Sequence, residues 1–447
     1  MSTKQSKIHI GLIIVALLPV IGELARMPLF ADHGMLISDF AIGVLLAVWL
    51  IQKISLQEKI ADNFFLSPLL FFTGMALFSL LQSFAFLKPV EVFSGAFYLL
   101  RFVEYTFLAI IITDKIKTGK QARQLLYWVI FSALLIAVAG FIQLQIYPDL
   151  GKLVKFGWDP HQNRLVSTWL DPNFAGGLFA LMVSLLLGIF IYAKGFMKKL
   201  GLLLIMTIFA IALILTYSRS AYLAAGLGIL TIGLLKSRKT LVIAIIIGLA
   251  AFSVLPRVQE RTNDFIHSAQ SLIFNTAENP DPTARLRIKS WDQTFQLITK
   301  RPWLGSGYNT LRSVKVQEGF VENTEIHSAS GSDSSILTIL ATTGIFGLIS
   351  FLWLYLNVLK QSFRNWRVST FAPGYGLGFF AGMIGLIGHS FFVNSLLFPH
   401  IMIFIWILAG ILNVACVHED YKHGYQHPHP PDKSQLQQSP HLDLHEH

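Results

Sequence analysis

The chain has 447 residues, 53% of them apolar and only 13% charged, with a formal net charge of +10 at neutral pH. A soluble domain carries roughly a quarter of its residues as charges, so this composition defines an integral membrane protein. The excess of bases does not imply nucleic acid, because Lys and Arg stand in short clusters between apolar runs and not on one water-facing surface. The single cysteine, Cys416, ends the last apolar run, which excludes a disulfide framework and a cysteine metal site.

A hydrocarbon core of roughly 30 Å takes about 20 apolar residues to cross as a helix. Twelve segments qualify, a few of them by borrowing flanking residues: Ile8–Gly22, Met35–Ile51, Phe64–Phe86, Ser94–Thr113, Leu125–Tyr147, Phe174–Tyr192, Leu200–Tyr217, Ala221–Leu235, Leu241–Leu255, Ser335–Leu359, Gly376–Phe392 and Leu396–Ala415. Lys4 and Lys7 before the first of these imitate a signal peptide, but no small-x-small cleavage pattern follows, which predicts an uncleaved first span. The expected fold is an all-α polytopic membrane protein of about 12 transmembrane helices. Residues 1–255 hold helices one to nine, 256–333 a loop domain, 334–416 helices ten to twelve, and 417–447 a tail. That tail holds seven of the chain's 14 histidines among Pro, Gln and Ser, a disordered composition.

Cytoplasmic loops hold the excess Lys and Arg. With the N-terminus inside, the inner segments carry seventeen such residues and the short outer loops six. Both termini are then cytoplasmic, and the one large loop, between helices 9 and 10, is extracytoplasmic. This loop holds most of the side chains capable of chemistry. Between Arg285 and Lys315 its seven bases face a single acid, Asp292.

Two shorter outer connections matter as well. Asp171-Pro172 reads as a helix start, Asp as N-cap and Pro at the first helical position, and the N-terminus so made presents N–H groups to any anion. Tyr217-Ser-Arg-Ser220 is a tight turn that holds Arg219 at a span end, where it either labels the interface or meets a phosphate head group. Inside the fourth span Arg101 and Glu104 are three apart and share a helix face, as a structural ion pair or as functional groups. His389, near the outer end of the eleventh span, is expected to make a packing hydrogen bond. In the loop, His327 and Asp333 are the two candidates to accept a proton from a hydroxyl. Gly305-Ser-Gly307 is too short for a phosphate loop, and its glycines read as turn residues. No Asp-x-Asp pair occurs, so no metal and no cofactor are expected.

Five stretches together resemble the O-antigen ligase and polymerase superfamily. They are Trp169-Leu-Asp-Pro-Asn-Phe-Ala175, Leu215-Thr-Tyr-Ser-Arg-Ser-Ala221, Arg287-x-x-x-Trp291, Pro302-x-x-Gly-x-Gly-Tyr308, and the run from His327 closing on Ala341-Thr-Thr-Gly-Ile-Phe-Gly347. The resemblance spans about Trp169 to Gly347, in family order. It implies metal-free glycosyl transfer at the outer face of a bacterial cytoplasmic membrane. A glycan on undecaprenyl diphosphate passes to a hydroxyl of an acceptor glycan, lipid or protein, the diphosphate lipid leaving and the anomeric centre inverting.

Carried over residue by residue, the resemblance makes Arg219 and Arg287 the diphosphate-binding arginines, with Arg285 an alternative to Arg287. Asp171 and Asn173 are further candidates, as are Arg101 and Glu104. The family's histidine usually stands where Asp333 stands here, and His327 lies six residues upstream, so the proton acceptor is one of these two. A polymerase or exopolysaccharide relative fits this departure better than a lipid A-core ligase. The competing class is a polytopic transporter or flippase of lipid-linked sugars, which shares the span count but would place charges at the midplane; a non-catalytic membrane subunit is a third reading.

Overall fold

The structure, a computed structural model, describes residues 8–28, 34–60, 63–156, 158–254, 256, 259–260, 263, 282–321, 331–369 and 372–422. Each of the twelve apolar segments coincides with a helix: α1 Ile10–Leu17, α2 Ile37–Ser55, α3 Leu66–Ser83, α4 Pro89–Lys115, α5 Gly119–Ile146, α6 Pro172–Tyr192, α7 Phe196–Leu215, α8 Arg219–Leu235, α9 Arg238–Val254, α12 Ser335–Val368, α13 Pro373–His389 and α14 Pro399–Lys422. Two more helices, α10 Pro282–Lys300 and α11 Leu311–Gln317, lie in the long loop. Among the described residues seven helices, α2 to α7 and α12, are long and apolar enough to cross a membrane. The stretches Ile10–Val20, Arg219–Leu235 and Pro399–Val414 are shorter apolar helices. The only sheet among the described residues is the two-stranded pair Met27–Pro28 with Gly34–Met35.

α13 fills the groove between α6 and α8, and α12 packs on α3 and α13. Without water between helices to drive association, close backbone approach does the work. α13 achieves it with glycines: a Cβ on Gly378 would overlap the backbone of Leu185, and one on Gly385 the carbonyl of Ala224. α14 packs along α4, and nearly every side chain from Ile401 to Leu412 is buried.

Arg101 pairs with Asp39 and not with Glu104 as the sequence spacing predicts. Its Nε donates to Asp39 Oδ1 at 2.9 Å and its Nη2 to Asp39 Oδ2 at 2.6 Å. Nη2 also donates to Gly34 O at 2.9 Å, and Tyr105 Oη donates to Asp39 Oδ1 at 2.6 Å. The physical reason is geometry: Asp39, in the first turn of the neighbouring α2, offers both oxygens to the planar guanidinium fork, which gives a bidentate pair. Both side chains are almost fully buried. Arg101→Met would strand a buried carboxylate, so we expect a loss of about 3–5 kcal/mol of stability, read as a lower melting midpoint in detergent. A midpoint equal to the parent's would contradict this.

At the opposite end of the same two helices, Lys53 Nζ meets Asp114 Oδ1 at 2.6 Å and Trp49 Nε1 donates to Asp114 Oδ2 at 2.9 Å. α2 and α4 therefore run parallel and are pinned at both ends. One end of the bundle gathers the N-termini of α2, α6, α8, α12 and α14 with the loop helices, and this loop end carries the site.

Candidate active site

At the loop end α6 and α8 begin side by side. Asp171 caps α6: its Oδ1 accepts from Asn173 N at 2.6 Å and Phe174 N at 3.3 Å, with Pro172 at the first helical position. Ser218 caps α8, accepting from Ala221 N at 3.4 Å, and its hydroxyl donates to Asn173 Oδ1 at 2.8 Å. The two helix starts are thereby tied together. Tyr217 takes a left-handed φ of 48° to make the tight turn. Arg164 braces it, Nε donating to Thr216 O at 2.8 Å and Nη2 to Tyr217 O at 3.3 Å. Arg219 is thus the first residue of α8, half-buried at the loop end.

α10 supplies a second arginine. Positions three and four apart share a helix face, so Arg287, Ser290, Trp291 and Thr294 form one stripe. Ser290 and Thr294 are buried, and the Trp291 ring lies 6.0 Å from that of Phe392. Arg285 lies about 200° round the helix from Arg287 and is exposed, so of the two only Arg287 turns inward. Its Nε stands 3.9 Å from Asp333 Oδ2.

Asp333 precedes α12 with a left-handed φ of 50°, a conformation that Asp tolerates better than most residues. Ser334 then caps α12, accepting from Leu337 N at 3.3 Å, and Ser335 N donates to Ser390 O at 2.9 Å, fastening this start to the end of α13. Desolvation by the surrounding protein pushes the Asp333 carboxyl above the ordinary aspartate range; the field of Arg287 opposes the rise, those of Asp171 and Asp159 add to it, and that of Lys315 opposes it. Asp333, Arg287, Asp171 and Asp159 therefore share one electrostatic neighbourhood. A carboxylate of raised basicity beside a guanidinium suits proton abstraction next to a developing anion.

His327 lies outside the described residues. His389 is fully buried, yet neither ring nitrogen has a hydrogen-bond partner among the described residues, so the expected packing hydrogen bond is absent among them. The ring instead lies against Gly177 of α6, where a Cβ would come within 3.1 Å of it. Asp159, His161 and Asp171 place one ligand atom each within 4.8 Å of one another. These residues have the donor types to hold a divalent cation.

Two stretches of the resemblance acquire a physical meaning as partners. α12 kinks at Gly344, φ 67°, and the loop 302–307 docks on the kink. Ser306 N donates to Ala341 O at 3.0 Å, Gly307 N to Thr342 O at 2.9 Å, and Ile345 N to Pro302 O at 2.9 Å. Ser79 of α3 seals the joint, its hydroxyl 2.6 Å from both Leu304 O and Thr342 O and accepting from Gly307 N at 3.1 Å. A Cβ on Gly305 would overlap the Thr342 carbonyl, and one on Gly344 the Trp303 carbonyl. The expected turn glycines are therefore also contact glycines. Gly344→Ala should cost at least about 1–2 kcal/mol from the left-handed backbone alone, measured as a lower melting midpoint; an unchanged midpoint would refute the docking account. Trp169 is likewise a packing residue, its Nε1 donating to Pro19 O at 2.8 Å and its ring stacked on His400 at 5.4 Å.

Sequence reasoning missed Asp39, Ser290, Lys315, and the Glu23–His400 contact of 3.3 Å beneath Trp169. Only Lys315 left a signal. With Leu311 and Val314 it falls at i, i+3 and i+4 of α11, on the buried face.

The fold and site define a polytopic all-helical membrane protein with arginines and a carboxylate of raised pKa gathered at one end. Residues 204–352 match the family model for O-antigen ligase. That segment, from α7 to the first half of α12, is where the chain is similar to the O-antigen ligase/polymerase superfamily. A search of curated proteins finds no match.

Proposed function

We propose that the protein transfers a glycan from an undecaprenyl-diphosphate carrier to an acceptor hydroxyl, without metal, at the outer face of a bacterial cytoplasmic membrane. On this reading all twelve apolar helices cross the bilayer, both termini are cytoplasmic, and residues 256–333 are the extracytoplasmic loop domain. The observation that carries the proposal is the approach of Arg287 to Asp333, 3.9 Å apart, in the electrostatic neighbourhood of Asp171 at the α6 start.

Asp333, or His327 in its place, takes the acceptor hydroxyl proton as the oxygen attacks the anomeric carbon. The bond from that carbon to the diphosphate oxygen breaks, and its electron pair leaves with the lipid diphosphate. Arg219 and Arg287 neutralise the charge that grows on the leaving group, which is electrostatic stabilisation of the transition state. Attack opposite the leaving group inverts the anomeric centre. Asp171 and Asn173 hold the two helix starts whose N–H groups face the anion. Arg101 and Glu104 lie within α4, and the Arg101–Asp39 pair favours a scaffold role for the arginine.

The test is product analysis with purified protein in liposomes containing undecaprenyl-diphosphate-linked oligosaccharide, in the presence of EDTA. A longer or transferred glycan supports the reading. Translocated but otherwise unchanged lipid-linked sugar would establish a flippase instead.

A further inference from the structure

Lys315 has no accessible surface. Its ammonium donates to Gly331 O at 2.7 Å, to Ser290 Oγ at 3.0 Å and to Ser290 O at 3.3 Å. The Ser290 hydroxyl donates to the same Gly331 carbonyl at 2.6 Å. Three donors thus meet three oxygens, and none of these oxygens belongs to a carboxylate. Burying a charge without a counter-ion in contact is costly, whereas an apolar residue of similar size would avoid the cost. The two elements that Lys315 joins explain what the charge does. Ser290 stands one helical turn beyond Arg287 on the same face of α10, and Gly331 stands two residues before Asp333.

We propose that Lys315 is a positioning residue: its ammonium holds α10 against Gly331 and so sets the distance at which Arg287 meets Asp333. This rests on reading Arg287 and Asp333 as the groups that act on the substrate. Lys315 itself touches neither reacting atom. Its leverage is geometric, since a misplacement of about 1 Å in an active site can cost on the order of 100-fold in rate.

The clamp depends on the proton. Burial lowers the Lys315 ammonium to about 8, opposed by the field of Asp333, the charged group that reaches it among the described residues. A neutral amine has two donors for three acceptors, so the clamp slackens as pH rises through that value. Global stability moves the other way. The folded pKa lies below the unfolded one, near 10.4, so the unfolded chain binds more protons between the two. Within that window stability rises with pH. Turnover that falls while stability rises separates a positioning role from unfolding.

The full-length protein in liposomes, with undecaprenyl-diphosphate-linked oligosaccharide as donor, provides the test. Lys315→Met should lose on the order of 10–100-fold in kcat, keep KM for the donor within about threefold, and melt no lower than the parent. Its kcat should also lack the decline that the parent shows above pH 8. Ser290→Ala should lose kcat in the same sense but less, and it carries the test if the methionine variant does not purify. Hydrogen exchange over residues 331–335 should quicken in either variant, a readout independent of turnover. Parent-like kcat in both variants, or parent-like exchange, overturns the proposal. A parent that makes no product while exchange still quickens removes the glycosyl-transfer reading and leaves the clamp standing.

Discussion

Asp333→Asn is expected to lower turnover by about 10²–10⁴-fold, the range for removing a general base, with little effect on the KM for the lipid-linked donor. The amide keeps the shape of the carboxyl and its left-handed backbone but takes no proton. Because desolvation holds the Asp333 carboxyl above the ordinary aspartate range, kcat/KM of the parent should fall on acidification at a higher pH than an unperturbed aspartate would give. The sign follows from the role: the base works when deprotonated, so activity is present above its pKa and lost below it. His327→Ala, assayed beside it, decides between the two candidates. If Asp333→Asn retains parental turnover and His327→Ala does not, the base is His327.

The second large effect belongs to the leaving group. Arg287→Ala and Arg219→Ala should each cost about 1.5–3 kcal/mol of transition-state stabilisation, the range for hydrogen bonds to a charged group. At 1.4 kcal/mol per decade this corresponds to about 10–150-fold in kcat/KM. Arg287→Lys should recover only part of the loss, because an ammonium cannot offer two parallel donors to a diphosphate. Arg285→Ala should stay close to the parent, since Arg285 is exposed on the far side of α10. Parental turnover in both Arg287→Ala and Arg219→Ala would remove the arginines from the mechanism.

Helix positions were legible in the sequence because apolar runs carry their own length signal: each segment expected to span coincides with a helix, with ends that differ by up to nine residues. Local capping was legible for the same kind of reason. Asp171-Pro172 encodes its helix start within four residues, and the structure has that cap. Long-range partners were not. Arg101 and Glu104 satisfy the spacing rule for a helical pair, but Asp39 lies 62 residues away in sequence and enters only once α2 packs on α4. Lys315 was hidden differently: one of the seven bases between Arg285 and Lys315, it is among the most deeply buried of the described side chains in that stretch. The inward turn of Arg287 and the outward turn of Arg285 needed the helix to exist before the two could be told apart. The glycine motifs at 302–308 and 341–347 were recognisable as text, while their meaning, a loop docked on a helix kink, lies in hydrogen bonds between segments some 35 residues apart.

The most direct measurement is the transfer assay itself: purified protein in liposomes, undecaprenyl-diphosphate-linked oligosaccharide and excess EDTA, with the products separated by size and by lipid attachment. The account predicts a new glycosidic bond and free undecaprenyl diphosphate, formed in the presence of chelator and lost in Asp333→Asn or His327→Ala. Lipid-linked glycan that crosses the bilayer unaltered, or product that vanishes with EDTA and returns with a divalent cation, would contradict it.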